Sequence, residues 1–116
     1  MIAVIFEVHP AEGQKATYLA LAADLRPLLE TIDGFISVER FQSLSDPDKI
    51  LSLSFFRDED AVQTWRTLSE HRTAQTAGRN GVFAQYRLRV AHVLRDYGKQ
   101  ERDGTPTDSQ AIHGTH

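Results

Sequence analysis

The chain reads as an α+β sandwich of order β-α-β-β-α-β, the ferredoxin-like arrangement, and three features predict it. Period-two alternation marks four segments, helical spacing of apolar residues marks two, and turn formers separate them in that order. Two helices cover only one face of a four-stranded sheet. The opposite face alternates Phe, Ile, Leu and Val with Ser and Arg rather than with charge alone. A half-apolar back of this kind is closed by pairing, so a homodimer through the sheet face is expected.

Met1 to His9 forms the first strand, ended by Pro10, with Glu12-Gly13 as the turn. From Gln14 to Thr31 a helix is expected, with Tyr18, Leu21, Ala22, Leu25, Leu28, Leu29 and Ile32 at helical spacing. Pro27 lacks an amide and crowds the preceding turn, so a kink or two abutting helical pieces are expected. Asp33-Gly34 stops this helix. Phe35 to Leu44 is the second strand, SLSDPDK a turn-rich connection, and Ile50 to Phe56 the third strand, making a hairpin.

Asp58 stands where a second helix needs an N-cap, and Glu59 and Asp60 sit where the positive helix end favours acids. Ala61, Val62, Trp65 and Leu68 form its inward stripe; His71 to Arg79 continue it or break into a second short helix, and Arg79-Asn80-Gly81 ends it. The last strand opens at Val82 or Phe83 and runs to Tyr97. Tyr86, Leu88, Val90, His92 and Leu94 share one of its faces; Arg87, Arg89, Ala91, Val93 and Arg95 share the other. The arginine face is expected to meet a partner subunit and pair with its acids, the long apolar stems packing over the sheet. After a domain of residues 1–97, residues 98–116 have almost nothing to bury and read as a mobile or partner-embracing tail.

With 116 residues, 41% apolar and 25% charged, the chain is one domain with a real core. A net charge of -3 gives little electrostatic reason to expect DNA or RNA. The absence of Cys excludes disulfides and thiolate chemistry and fits a reducing cytoplasm. No run approaches the roughly 18 apolar residues of a membrane span, and MIAVIFEVHP lacks the basic region of a signal peptide.

Motifs for common chemistries are absent. His9, His71, His92, His113 and His116 form no HExxH or compact carboxylate cluster, so no metal site is expected. There is no G-x-G-x-x-G, no Walker motif and no G-x-S-x-G. The richest local set is Trp65, His71, Arg72, Gln75 and Arg79 on or just beyond the second helix. Trp65 and Arg72 stand two turns apart on nearly one side, and His71 and Gln75 form an i,i+4 pair. Each has a plainer role open to it: packing for Trp65, structural hydrogen bonding for His71 and Gln75, surface or dimer ion pairs for Arg72 and Arg79. Together they suit a pocket rim that holds a flat, oxygen-bearing molecule, with Tyr86 as a further wall.

GFISVERF, DPDKILSLSFF, DEDAVQTWRTLSEHRTAQTAGR and FAQYRLRVAHVLRDYG resemble the antibiotic biosynthesis monooxygenase superfamily, over roughly residues 1–97. The resemblance implies a dimeric α+β barrel, a cavity between helices and sheet in each subunit, and O2 as co-substrate. In its heme-degrading branch a helix-two tryptophan precedes the ligating histidine, and a strand-one asparagine assists. Trp65 matches the tryptophan, but Gln75 stands at the histidine's place, His71 comes one turn early, and Phe6, Glu7 and Val8 occupy the asparagine's region. The expectation is therefore no cofactor, with heme disfavoured.

The function expected is a cofactor-independent monooxygenase oxidising a small aromatic phenol or hydroquinone-like substrate with O2. His71 would act as base, since an imidazole titrates near neutrality. Arg72 or Arg79 would hold the substrate oxygen, Gln75 would stand at the rim, and Trp65 with Tyr86 would clamp the ring. The alternatives are a non-redox homodimeric protein that binds a small metabolite, and a heme-degrading monooxygenase.

Overall fold

The computed structural model describes residues 1–75 and 81–100, leaving out the side chains of residues 70–75. Its elements are β1 (Ile2–Pro10), α1 (Lys15–Leu29), β2 (Phe35–Gln42), β3 (Ile50–Phe56), α2 (Glu59–Gln75) and β4 (Phe83–His92). The expected order is met. The barrel is not: one open sheet of order β2-β3-β1-β4 forms, with β2 and β4 as free edges. Four strands capped by helices on one face leave both edges unjoined, and closure needs every edge paired.

Register decides which residues face the helices. Ile2, Val4, Phe6 and Val8 of β1 lie opposite Phe56, Ser54, Ser52 and Ile50 of β3. On the other side they meet His92, Val90, Leu88 and Tyr86 of β4. Ile2, Val4, Val38 and Phe56 of this phase bury against Leu29 at the end of α1, Ile32 in the turn after it, and Ala61 and Val62 of α2. A second cluster joins Val8, Ile50 and Val82 to Tyr18 of α1, with Phe6 and Leu21 packed on it. The opposite phase carries Ile5, Glu7, Leu51, Leu53 and Phe55, half-buried on a face that no helix covers.

Several boundaries differ from expectation for local reasons. β2 stops at Gln42, whose side-chain Nε2 turns into the loop to reach the carbonyls of Pro47 and Lys49, each at 3.0 Å. Leu44 is left in solvent. β4 ends at His92, with one more bond from the Val93 N–H to the Met1 carbonyl at 3.0 Å, so Leu94 and Tyr97 lie beyond the strand. α1 runs through Pro27 as one helix; the proline falls in its last turn, so no second piece forms. At the start of α2 the Ala61 N–H donates to Asp58 Oδ1 at 3.0 Å, the expected cap.

Among the described residues no helix is long and apolar enough to cross a membrane.

Candidate functional site

The sheet's register lays rows of side chains under the helices. One row runs Arg40, Ser52, Phe6, Leu88 from β2 to β4; the next runs Val38, Ser54, Val4, Val90. Polar groups thus occupy the β2–β3 half of the floor, and apolar groups the β1–β4 half. Tyr18, Leu21 and Leu25 of α1, with Trp65, Arg66 and Ser69 of α2, close a cavity of about 320 Å3 above this floor. The helices do not reach across β4, so Leu88 and Tyr86 remain open to it at the mouth, Tyr86 at 64% exposure.

Aromatic rings stand at both ends of this space. Phe6 meets Tyr86 at a centroid distance of 5.6 Å, and Phe83 joins Tyr86 at 6.0 Å and Tyr18 at 5.8 Å. At the other end Trp65 sits edge-on to the buried Phe56 at 6.1 Å. Edge-to-face contacts of this kind fix the rings and leave their remaining surfaces for a guest.

Arg40 is the electrostatic centre. Its Nε is buried with no hydrogen-bond partner, and among the described residues its guanidinium has no ion pair. The lining carries Arg40 and Arg66 and no carboxylate. Arg66 is exposed, donating to Gln63 Oε1 at 3.3 Å.

Of the residues singled out in the sequence, the structure brings Trp65 and Tyr86 to one cavity. The side chains of His71, Arg72 and Gln75 lie outside the described residues, as does Arg79. His92 shares the inward phase of β4 but stands at its far end, outside the lining. Arg89, expected to seek an acid on a partner subunit, donates to Glu7 of its own chain at 3.0 Å. Lys49 holds the other Glu7 oxygen at 3.3 Å. Hydrogen bonding from Lys49 first, then the two positive charges, keeps the Glu7 carboxyl below its ordinary range.

Phe6, Tyr18, Phe83, Arg40, Ser52 and Ser54 were not singled out. The usable signal was the phase of β3: Ser52 and Ser54 alternate with leucines yet share a face with Ile50 and Phe56.

A second hollow of about 550 Å3 opens where β1 ends, among His9, Glu12, Lys15, Asp48 and Gln85. At its edge His9 Nε2 and Asp46 Oδ2 are 2.9 Å apart. The His9 bond, then the Asp48 N–H, holds the Asp46 carboxyl below its usual range. Among the described residues no group of three or more His, Asp or Glu side chains gathers to hold a metal.

Residues 1–77 match the antibiotic biosynthesis monooxygenase family. The chain is 54% identical over 101 residues to jasmonate monooxygenase ABM of Pyricularia oryzae, covering 87% of this chain and 47% of that protein. It thus spans about half the length of that relative. It is 32% identical over 100 residues to the uncharacterized protein YqjZ of Bacillus subtilis, covering 85% of this chain and 84% of the other. Among solved structures, a mutant of MhuD with two manganese protoporphyrin IX bound per active site superposes with a TM-score of 0.67. That likeness is at 17% identity and covers 84% of this chain and 99% of MhuD.

The MhuD structure overturns the expectation that heme is disfavoured, because a fold of this shape does accommodate porphyrin. The misplaced histidine and missing asparagine bear on the ligands of the metal, not on whether the fold has room for the ring. Among the described lining side chains the hydroxyls of Tyr18 and Tyr86 are the candidates to hold a porphyrin metal, with neither imidazole nor thiolate beside them. Element order, a cavity between helices and sheet, and the match across three strands, two of them the hairpin, and both helices agree: the chain belongs to the antibiotic biosynthesis monooxygenase family.

Proposed function

We propose that this chain is a monooxygenase that oxidises a small, largely apolar organic molecule with O2 in the cavity under α1 and α2. The observation that carries the reading is the cavity itself, about 320 Å3, walled by Phe6, Phe83 and Tyr86 at one end and Trp65 at the other. Apolar and aromatic walls with few convergent polar groups are what a small-molecule site requires. The jasmonate monooxygenase relative makes jasmonate the first compound to test. The rings of Trp65 and Tyr86, at opposite ends of the cavity, make an aromatic phenol or hydroquinone the second.

His71 is assigned as the base, and Arg72, Gln75 and Arg79 as holders of substrate oxygen, on their sequence spacing from Trp65. The chain works as a homodimer through the sheet face that no helix covers. Ile5, Leu51, Leu53 and Phe55 crowd there beside Phe41, which is 42% exposed, an apolar surface that pairing would remove from water. The lack of cysteine suits action in the cytoplasm.

The test is O2 consumption with isotopically labelled O2. Hydroxylation places one oxygen atom in a C–H bond and reduces the other to water, drawing two electrons from an added reductant. A doubly activated methylene supplies its own electrons, giving a carbonyl and water. Purified protein, with and without added heme, is assayed against jasmonate, hydroquinones and anthrones, each with and without ascorbate. Label in an organic product supports the reading. Saturable binding with no O2 consumed under any condition would replace it with a non-redox binding protein.

A further inference from the structure

We infer that the cavity is built for an organic acid, with Arg40 receiving its carboxylate and the β1–β4 half of the floor receiving its apolar body. This rests on the reading of the cavity as the substrate site. Arg40 lies on β2 directly opposite Ser52 of β3, and Ser54 follows on the same face. All three line the cavity, yet no hydrogen bond joins the Ser52 or Ser54 hydroxyl to another described side chain.

A guanidinium is always charged, and burying one of its N–H groups without an acceptor is costly. Buried polar groups are ordinarily satisfied, so a guanidinium that lines a cavity with one N–H orphaned points to an acceptor that belongs beside it. The required acceptor is anionic, because two arginines and no carboxylate line the space. It is also small and planar, because one guanidinium fork and two flanking hydroxyls match a carboxylate in shape and bond number. A phosphate would carry more charge than this single buried fork can meet.

The rest of the molecule follows from the register. From Arg40 the row continues through Ser52 to Phe6 and Leu88, becoming apolar after β3. Three strand spacings separate β2 from β4, about 14 Å. An acid whose ring or chain spans that width would lay its head on Arg40 and its far end among Phe6, Phe83 and Tyr86.

Trp65 is the single tryptophan of the chain and lines the cavity, so its fluorescence reports occupancy. The probes are 4-phenylbutyrate and jasmonate, each against its methyl ester, which keeps the body and removes the charge. At least one acid binds about tenfold or more tighter than its ester. Arg40→Gln abolishes that preference by weakening acid binding far more than ester binding, and Arg40→Lys restores part of it. Acids and esters binding alike to the unaltered protein would overturn the carboxylate assignment and leave the cavity reading standing. No saturable binding by any of the four probes would overturn both. The acid–ester comparison needs no variant, so a fold defect in Arg40→Gln does not shelter the proposal.

Discussion

Arg57 and Asp33 form a forked ion pair, Nη1 to Oδ1 and Nη2 to Oδ2 both at 3.2 Å, across the turn between α1 and β2. The same guanidinium reaches forward through Nε to Asp58 Oδ2 at 3.0 Å. One side chain thus ties the exit of α1 to the cap of α2, the two helices that roof the cavity. The two carboxylates raise the Arg57 pKa further above its ordinary value, the hydrogen bond to Asp33 leading.

Acid should loosen this tie. The hydrogen bond from Arg57 lowers the Asp33 pKa; the Ala61 N–H, then Arg57, lowers that of Asp58. A carboxylate with a depressed folded pKa adds stability above the ordinary carboxylate range and loses it as pH falls through the folded value. Melting temperature should therefore fall on acidification below that range. Asp58→Ala should lower it at neutral pH and flatten the acid limb, with a smaller effect for Asp33→Asn. Thermal melts of the three proteins across pH check this, and unchanged acid limbs would count against it.

Gly34 should be intolerant of any side chain. Its φ of 94° lies where L-residues are strained, and an added Cβ would stand 3.0 Å from the Ala61 Cβ. Gly34→Ala should cost about 1–3 kcal/mol. Ala61→Gly in the same chain should recover only the steric share. Urea denaturation of the single and double variants separates the two contributions.

The uncovered sheet face carries the dimer prediction. Leu53 sits in its middle, paired with Ile5 on one side and Glu39 on the other. Leu53→Asp should give a folded monomer by light scattering, since a charge there would need burial without a partner. A variant that stays dimeric would place the interface elsewhere.

His71→Ala should reduce turnover by roughly 100-fold or more if that imidazole is the base. Binding read by Trp65 fluorescence should hardly change. Equal losses in binding and turnover would make His71 a contact rather than a base.

Much of the fold was legible because its signals are local. Helical spacing, the Asp58 cap and the Asp33-Gly34 stop act within a few residues of where they stand. The phase of β3 was less so. In ILSLSFF the leucines look like the core phase, yet Ile50 and Phe56 share the serine phase and bury it, turning Leu51 and Leu53 outward. Arg40 was hidden for a related reason: an arginine beside Glu39 reads as solvent-facing until its pairing with Ser52 turns it under the helices. Trp65 and Tyr86 were recognisable as aromatics, but Phe6 reaches Tyr86 from β1, and Tyr18 of α1 meets Phe83, the neighbour of Tyr86 on β4. Closure into a barrel depends on what joins the sheet's edges, and no short motif encodes that.

The register of the middle strands sets a timetable for synthesis. β1 pairs on both flanks with strands made later: Ile2 meets Phe56 on one side and waits for His92 on the other. The β2–β3 hairpin needs only a short loop and can form early. Until β4 emerges, IAVIFEV keeps one unpaired edge beneath helices that have no complete floor. A nascent chain in that state exposes an apolar, β-prone segment. Slowing translation before β4 should therefore lower soluble yield more than slowing it after.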